Sequence, residues 1–427
     1  MKISEEQLQA HNQQQSKKHK ESFGQLREDL EKKGYEVDSI LDRLSDFQVA
    51  IPSWALGAGG TRFGRFSIGG EPRNLEEKLD DVGLLHSLNR SSGAISLHIP
   101  WDIPEDTDAI RKQASELGLK FDAVNSNTFQ DQKGQVNSYK FGSLCHANEA
   151  VRKQAVEHNV EVIRHGEALG SKALTVWLAD GSNFPGQQNF RKAFRRTLQS
   201  LEEIYEHLPR DWKILIEYKP YEPNFYSMVI PDWGTSFLLA SKLGEKASTL
   251  VDLGHHLPNT NIEQIVATLM MENKLGGFHF NDSKYGDDDL TTGSVKPYQL
   301  FLIFNELLEN INTREEHFLN IAWMIDASHN VKDPLEDLLQ SVEAIQISLA
   351  KALLINRNKL EDARQANDVT LAQEVLQDAF QTDVRSLIQE SRIQSGAAAN
   401  PIALFRKLLV RRKLIGERGA ESVASGL

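Results

Sequence analysis

Between residues 47 and 334, short apolar, β-prone runs alternate with helical stretches, and this alternation restricts the chain to a parallel α/β architecture. The runs are Val49–Leu56, Ala94–Trp101, Lys120–Asn125, Ala173–Asp180, Ile214–Lys219, Ser248–Leu253, Gly277–Asn281 and Leu319–Asp326. Helical spacing falls between them at Leu75–Leu88, Asp108–Leu117, Glu149–Leu169, Asn189–His207, Thr235–Leu243, Ile262–Glu272 and Pro297–Leu308. Eight such runs without an early glycine-rich phosphate loop predict an α/β fold of the (β/α)8 TIM-barrel type rather than a doubly wound sheet.

The flanks differ from this centre. Residues 1–46 are polar and helical in pattern, with Leu26, Leu30, Ile40, Leu41 and Leu44 forming one apolar stripe that Gly34 interrupts. After Asp333-Pro334 the spacing is helical over Leu335–Arg357 and Leu371–Ser391. SGAAANP at 395–401 reads as a linker, and LFRKLLVRRKL as a short basic amphipathic helix that packs on the barrel or on another subunit. The expected organisation is an N-terminal helical segment (1–46), a barrel with the metal site (47–334) and a helical C-terminal extension (335–427).

Charge and cysteine usage remove several function classes. Lys and Arg total 48 against 60 Asp and Glu, a net charge of −12, which disfavours a nucleic-acid partner. The single Cys145 forbids an intrachain disulfide and suits a reducing compartment. The N-terminal stretch MKISEEQLQAHNQQQSKKHKES has no apolar signal-peptide core. No run approaches the roughly 18–20 apolar residues of a membrane span. A cytoplasmic protein without nucleic-acid or membrane partners is expected.

The chemistry gathers at the strand ends. Residues i and i+2 of a strand share a face, so Glu217 and Lys219 point the same way above Leu215, and His279 and Asn281 point together, opposite Phe278 and Phe280. Asp252 ends an apolar run, Gly254 permits the turn to His255, and Asp282 follows His279. Asp326 shares a face with Ser328. The last four strands thus end in Glu217, Asp252, His279 and Asp326, and carbonyl-end residues of a parallel barrel face its mouth. Three carboxylates and an imidazole suit Mn²⁺, Mg²⁺ or Co²⁺ better than a thiolate-seeking ion. His255, Asp287 and Asp289 complete a second site if Asp252 bridges the two. Taken singly, each of these residues has a blander explanation: a helix cap, a loop histidine or a solvated acidic run.

Further candidates surround that set. Lys219 is placed to donate to a substrate oxygen, or to extend its ammonium to solvent from a strand end. Trp54, Trp101 and Trp177 lie near the ends of early strands and offer aromatic faces to a sugar or to the barrel core. His98 stands close to Trp101 as a substrate contact or a satisfied core histidine, and Asp180 opens a polar loop, ADGSNFPGQ, at the mouth. RFGRF at 62–66 fits a lid or a subunit contact, with the contact ahead.

The motifs SWALGAGGTRFGRF, LHIPWD, TVWLADGSNFPGQ, LIEYKPYEP, LVDLGHH, HFNDSKYGDDDL and IDASHN span residues 53 to 330. On them the chain resembles the xylose-isomerase-like superfamily, and within it the L-rhamnose isomerases of the broad-specificity Pseudomonas and rhizobial type. The resemblance implies two divalent cations per subunit, usually Mn²⁺, with Co²⁺, Mg²⁺ or Zn²⁺ as alternatives. Glu217, Asp252, His279 and Asp326 would hold the structural ion; His255, Asp287 and Asp289, with Asp252 shared, would hold the catalytic one. Lys219 would meet the substrate near O1, and His98, Trp177 and Asp180 would line the pocket. A homotetramer is implied, giving the outer helices and RFGRF a place.

The resemblance also implies isomerisation of an aldose to a ketose, L-rhamnose to L-rhamnulose first. Hydrogen moves between C2 and C1 by a hydride shift, or through an ene-diol with Asp326 or Asp287 as base. L-Mannose, L-lyxose and D-allose stand as further substrates. A ketose 3-epimerase on the same scaffold is the alternative, and the second cation set speaks against it. A non-catalytic sugar- or metal-binding protein is the remaining reading, and Lys219 beside a full metal set speaks against that.

Overall fold

The computed structural model describes residues 3–57, 68–222, 225–309, 317–318, 320–327 and 331–421; RFGRF at 62–66 and Ser328 lie outside them. All eight expected strands are present: Ala50–Pro52, Ala94–Ser96, a third broken into Lys120–Phe121 and Val124–Asn125, then Ala173–Trp177, Lys213–Glu217, Ala247–Asp252, Leu275–Phe280 and Ala322–Ile325. Neighbours pair in parallel, and the last strand returns to the first with Met324 opposite Ala50. The two halves of the broken third strand end the hydrogen-bonded order on either side, so the barrel closes through that strand.

Period-two patterning sorts each strand between two cores. Leu215 and Leu250 meet Ala123 inside the barrel, and Ala50 and Met324 meet Trp54 higher up. The alternate residues Ile216, Val251, Phe278, Phe280 and Ile325 face outward into the layer shared with the helices. Phe278 and Phe280 are fully buried there, each stabilising by about 1.5–3 kcal/mol. The His279 strand runs very close to its neighbour: a Cβ on Gly277 would stand 2.9 Å from Leu250 Cδ1. The pairing register shifts between Leu275 and Gly277, after which His279 lies level with Asp252.

Most barrel helices start on polar caps; Pro297–Leu308 has no side-chain cap and starts on proline instead. Asn74, Asp106, Asn148, Asn189, Asp232 and Asn261 each accept a backbone N–H in the first turn that follows, a contribution of about 1 kcal/mol apiece. Asp106 and Asp232 therefore do what an isolated carboxylate at a loop–helix junction usually does. Asp252 and Asp326 do not.

The N-terminal segment forms Glu5–Lys32 and Val37–Asp46, separated at Gly34, which has φ 87°. Leu30, Ile40, Leu41 and Leu44 are buried as the stripe predicted, and Leu26 is half-buried. The C-terminal region departs from expectation in three places. The helix predicted over 335–357 ends at Leu353, and Asn356 caps a new one, Arg357–Gln365. The stretch 371–391 is two helices, Val369–Gln381 and Arg385–Gln394. SGAAANP is no free linker: Ala397, Ala398 and Ala399 are buried, Ala398 N–H donates to Leu88 O, and Asn12 bonds the backbone of Ala397 and Ala399. The basic segment forms Pro401–Lys407 and Val410–Arg418. It packs on the barrel, where Arg411 pairs with Asp333 and Arg418 with Asp81. No single helix among the described residues is long and apolar enough to cross a membrane.

Candidate metal centre and active site

Four strand ends converge on one nitrogen. His279 Nδ1 lies 3.3 Å from Glu217 Oε1, 3.4 Å from Asp252 Oδ2 and 3.5 Å from Asp326 Oδ2. Each of these residues stands two positions beyond one that faces the barrel interior: Leu215, Leu250, Gly277 and Met324. The strand period delivers the set. One imidazole N–H cannot serve three carboxylates. His279 Nδ1 and Asp252 Oδ2 are buried and have no hydrogen-bond partner among the described residues, an arrangement that is costly unless another group satisfies it.

The donor set fits a cation. One atom from each of Glu217, Asp252, His279 and Asp326 lies within 4.8 Å of all the others. An ion with bonds of about 2.1 Å holds its ligand atoms ~3.0–3.4 Å apart. Nitrogen and carboxylate oxygen without sulfur favour a hard or borderline divalent ion. The charges lean the same way. Burial, with Asp289, Asp252 and Glu217 nearby, pushes the Asp326 carboxyl up to about 8 despite the opposing pull of His279. Burial disfavours protonation of His279, yet Glu217, Asp252 and Asp326 hold it well above the usual imidazole range. Burial also opposes ionisation of Asp252, but His255, His279 and Asn281 outweigh it and keep that carboxyl well below the usual range.

Surrounding groups aim the oxygens. Asp252 Oδ1 accepts Gly254 N–H at 2.7 Å and Asn281 Nδ2 at 2.9 Å, which turns Oδ2 inward. Trp54 Nε1 donates to Asp326 Oδ1 at 3.0 Å and turns its other oxygen toward His279. Such neighbours fix ligand orientation in metal sites.

A second group, Asp252, His255 and Asp287, also brings one atom from each residue within 4.8 Å, so Asp252 belongs to both. His255 Nε2 is 3.2 Å from Asp287 Oδ1, and His255 Nδ1 is 3.4 Å from Glu217 Oε1. Asp289 lines the same cavity. The acidic run divides its labour. Asp288 accepts N–H groups of Lys284, Tyr285 and Gly286 and so scaffolds the loop from within. Asp287 and Asp289 take φ of 51° and 49°, left-handed conformations that Asp tolerates better than most residues. Asp287 N–H donates to Gly254 O at 2.8 Å, which ties the loop to the Asp252–His255 turn.

Beside these groups opens a cavity of about 410 Å³, within the range of small-molecule sites. Glu217, His255, His279, Asp287, Asp289 and Asp326 line one side. Trp54, His98, Trp101, Phe129 and Trp177 line the other. His98 stacks on Trp101 with ring centres 4.2 Å apart, and burial pushes its imidazole down to about 3, so it is neutral at neutral pH. Lys219 is buried, with Nζ bonded to Glu222 Oε1 at 2.9 Å and to Asp287 Oδ2, and 5.4 Å from the centre of the Trp177 ring.

Two residues with sequence claims to this site are placed elsewhere. Asp180 accepts the N–H groups of Ser143 and Cys145 and the Ser143 hydroxyl, holding the neighbouring loop instead of facing the main cavity. Asp282 accepts N–H groups from Ser283, Val295 and Lys296, so its carboxylate anchors the approach to helix Pro297–Leu308. Glu222 was given no role from sequence, although it stands three residues beyond Lys219 in the same motif. Asn281 carried a signal too, because it shares a face with His279.

The xylose isomerase-like TIM barrel family model matches residues 91–318, over half of the chain. Two proteins, each named a probable sugar isomerase, from Rhizobium meliloti and Mesorhizobium japonicum, are each 50% identical over 404 residues, covering 95% of this chain and 94% of their own. An L-rhamnose isomerase of Rhodopirellula baltica is 23% identical over 283 residues, 58% of this chain and 64% of that protein. The likeness to L-rhamnose isomerase is distant, so what the chain shares across most of its length is the family rather than a sugar. Barrel, strand-end donors and sequence agree: this chain belongs to the xylose isomerase-like TIM barrel family.

Proposed function

We propose that the protein is a metal-dependent aldose–ketose isomerase holding two divalent cations, Mn²⁺ first, with L-rhamnose to L-rhamnulose as the leading substrate pair. The observation that carries this reading is the convergence of Glu217, Asp252 and Asp326 on His279 Nδ1 beside a cavity lined by Glu222 and Asp287, the two carboxylates that buried Lys219 pairs with. Divalent cations bound there supply Lewis-acid polarisation of the sugar carbonyl.

The remaining work falls to side chains. Lys219 donates from Nζ to the sugar oxygen near C1, while Glu222 and Asp287 hold and aim its ammonium. Trp54, Trp101 and Trp177 cover the apolar face of the open-chain sugar and exclude water from C1 and C2. On an ene-diol route, Asp326 or Asp287 takes the C2 proton and returns it to C1, while the O2 hydroxyl proton passes to O1. On a hydride route, the same carboxylates only hold charge. The probable sugar isomerases that share half of this sequence support an isomerase, and the sugar itself is the open choice.

The test is direct. Protein stripped with chelator is reloaded with Mn²⁺, and ketose formation is followed from L-rhamnose beside L-mannose, L-lyxose and D-allose, with ketose epimerisation measured in parallel. Manganese-dependent rhamnulose formation that Glu217→Gln abolishes supports the reaction and the site together. Turnover of another aldose keeps the site and replaces the sugar. Epimerisation at C3 alone moves the protein to the epimerases, and no turnover of any sugar sinks the reading.

A further inference from the structure

The first cation group stands on strand ends, whereas Asp287 of the second, and Asp289 beside it at the cavity, stand on a loop in left-handed backbone conformations. Such conformations persist only where the surroundings enforce them. We propose that the helix after the eighth strand, Pro334–Leu353, provides that enforcement: its Asp337 and Ser341 are positioning residues for the loop that carries Asp287 and Asp289. The proposal rests on the two-cation reading above.

Asp337 is buried and accepts the hydroxyl of Thr291 and the ammonium of Lys332, the latter at 2.9 Å. Lys332 also donates to Thr291 Oγ1 and to Gln340 Oε1 at 3.1 Å. One helical turn further on, on the same face, buried Ser341 Oγ accepts the Thr292 N–H at 3.2 Å. Thr291 and Thr292 directly follow Leu290, whose N–H and C=O both pair with Asp282 at 2.9 Å and close the loop. The helix thus grips the loop two residues beyond Asp289.

The helix is itself anchored. Asp333, its N-cap, receives Arg411 through two bonds of 2.8 Å from the last helix of the chain. Apolar residues would pack a helix on a barrel as well and avoid burying a charge. A buried Thr291–Asp337 pair, with Lys332 at its exposed edge, fixes the position of what it joins, and here it joins the helix to the loop. Removing contacts made directly to ligand side chains weakens ion affinity by roughly 10–100-fold; these act one step further out, through the loop backbone, and belong at the low end of that range.

The experiment titrates metal-stripped, full-length protein with MnCl2 and reads free and bound Mn²⁺ by electron paramagnetic resonance. Wild type binds two ions per chain. Asp337→Ala weakens one ion by about tenfold, the low end for direct ligand contacts, and leaves the other unchanged. Ser341→Ala weakens the same ion by a smaller factor. Glu343→Gln, on the same helix but paired with Arg392, changes neither. Should Asp337→Ala fail to fold, Ser341→Ala decides alone. Unchanged affinities in the folded variants, or equal weakening of both ions, overturn the proposal. A wild-type chain that binds fewer than two ions overturns the two-cation reading itself, and this is seen before any variant is made.

Discussion

The two halves of the barrel mouth share one backbone plan and carry opposite chemistry. After strands one to four stand rings: Trp54, His98 with Trp101, Phe129, and Trp177. At the ends of strands five to eight stand Glu217, Asp252, His279 and Asp326. The aromatic half packs ring against ring; Phe129 and Trp177 centres are 4.8 Å apart, and His98 lies neutral within the stack, although its Nδ1 too is buried without a hydrogen-bond partner among the described residues. The ionic half crowds three carboxylates around one imidazole and leaves buried donor atoms unserved. One half is neutral and apolar, and the other crowds charge that calls for a ligand it does not itself supply. They touch at the Trp54–Asp326 bond and where Lys219 lies over Trp177.

That contrast can be broken from either side. Glu217→Gln strikes the ionic half. Sugar turnover should fall on the order of 10²–10³-fold, with lost Mn²⁺ binding measured in the same preparation. Trp101→Ala strikes the aromatic half. It should lower kcat/KM by roughly 10–200-fold, mainly through KM, and leave Mn²⁺ affinity intact. If Trp101→Ala loses the ion as well, the halves are not separate. Trp54→Phe keeps the ring and deletes the donor to Asp326. It should weaken Mn²⁺ by about tenfold, the low end for contacts of this class, with KM little changed.

Acidity gives the gentlest handle. His279 is held protonated well above the usual imidazole range, and the Asp326 carboxyl is pushed up to about 8. Both must be proton-free at the ligating atom, so cation binding releases protons and is favoured by rising pH. Mn²⁺ affinity should fall as pH is lowered below about 8, by up to about tenfold per pH unit for each proton released. Calorimetric titrations at three pH values check the slope, and a flat profile would mean that these groups do not ligate.

The fold was legible because the signals behind it are local. Alternation with period two in the strands and helical spacing between them marked all eight barrel strands, although the break at Asp122-Ala123 was not visible. Parity also placed Glu217, His279 and Asn281 on the inward face. What parity could not show was which carboxylates keep their oxygens free. Asp180 and Asp282 look like site residues in sequence and are spent on backbone N–H groups, because Cys145 and Val295 come to them only through tertiary packing. In the run at 287–289 the middle residue scaffolds and the outer two face the cavity, a division set by backbone turns rather than composition.

The sequence by itself determined the barrel, the level at which its donors stand and the mouth they share, since each follows from a residue's place within its own strand. The tertiary structure alone decided how those donors are aimed. Trp54 reaches Asp326 across 272 residues of chain, Asn281 reaches Asp252 across 29, and Asp337 reaches Thr291 from a different part of the fold, across 46. A strand's period is a property of consecutive residues, whereas the direction of a carboxylate oxygen depends on whichever donor folding brings beside it.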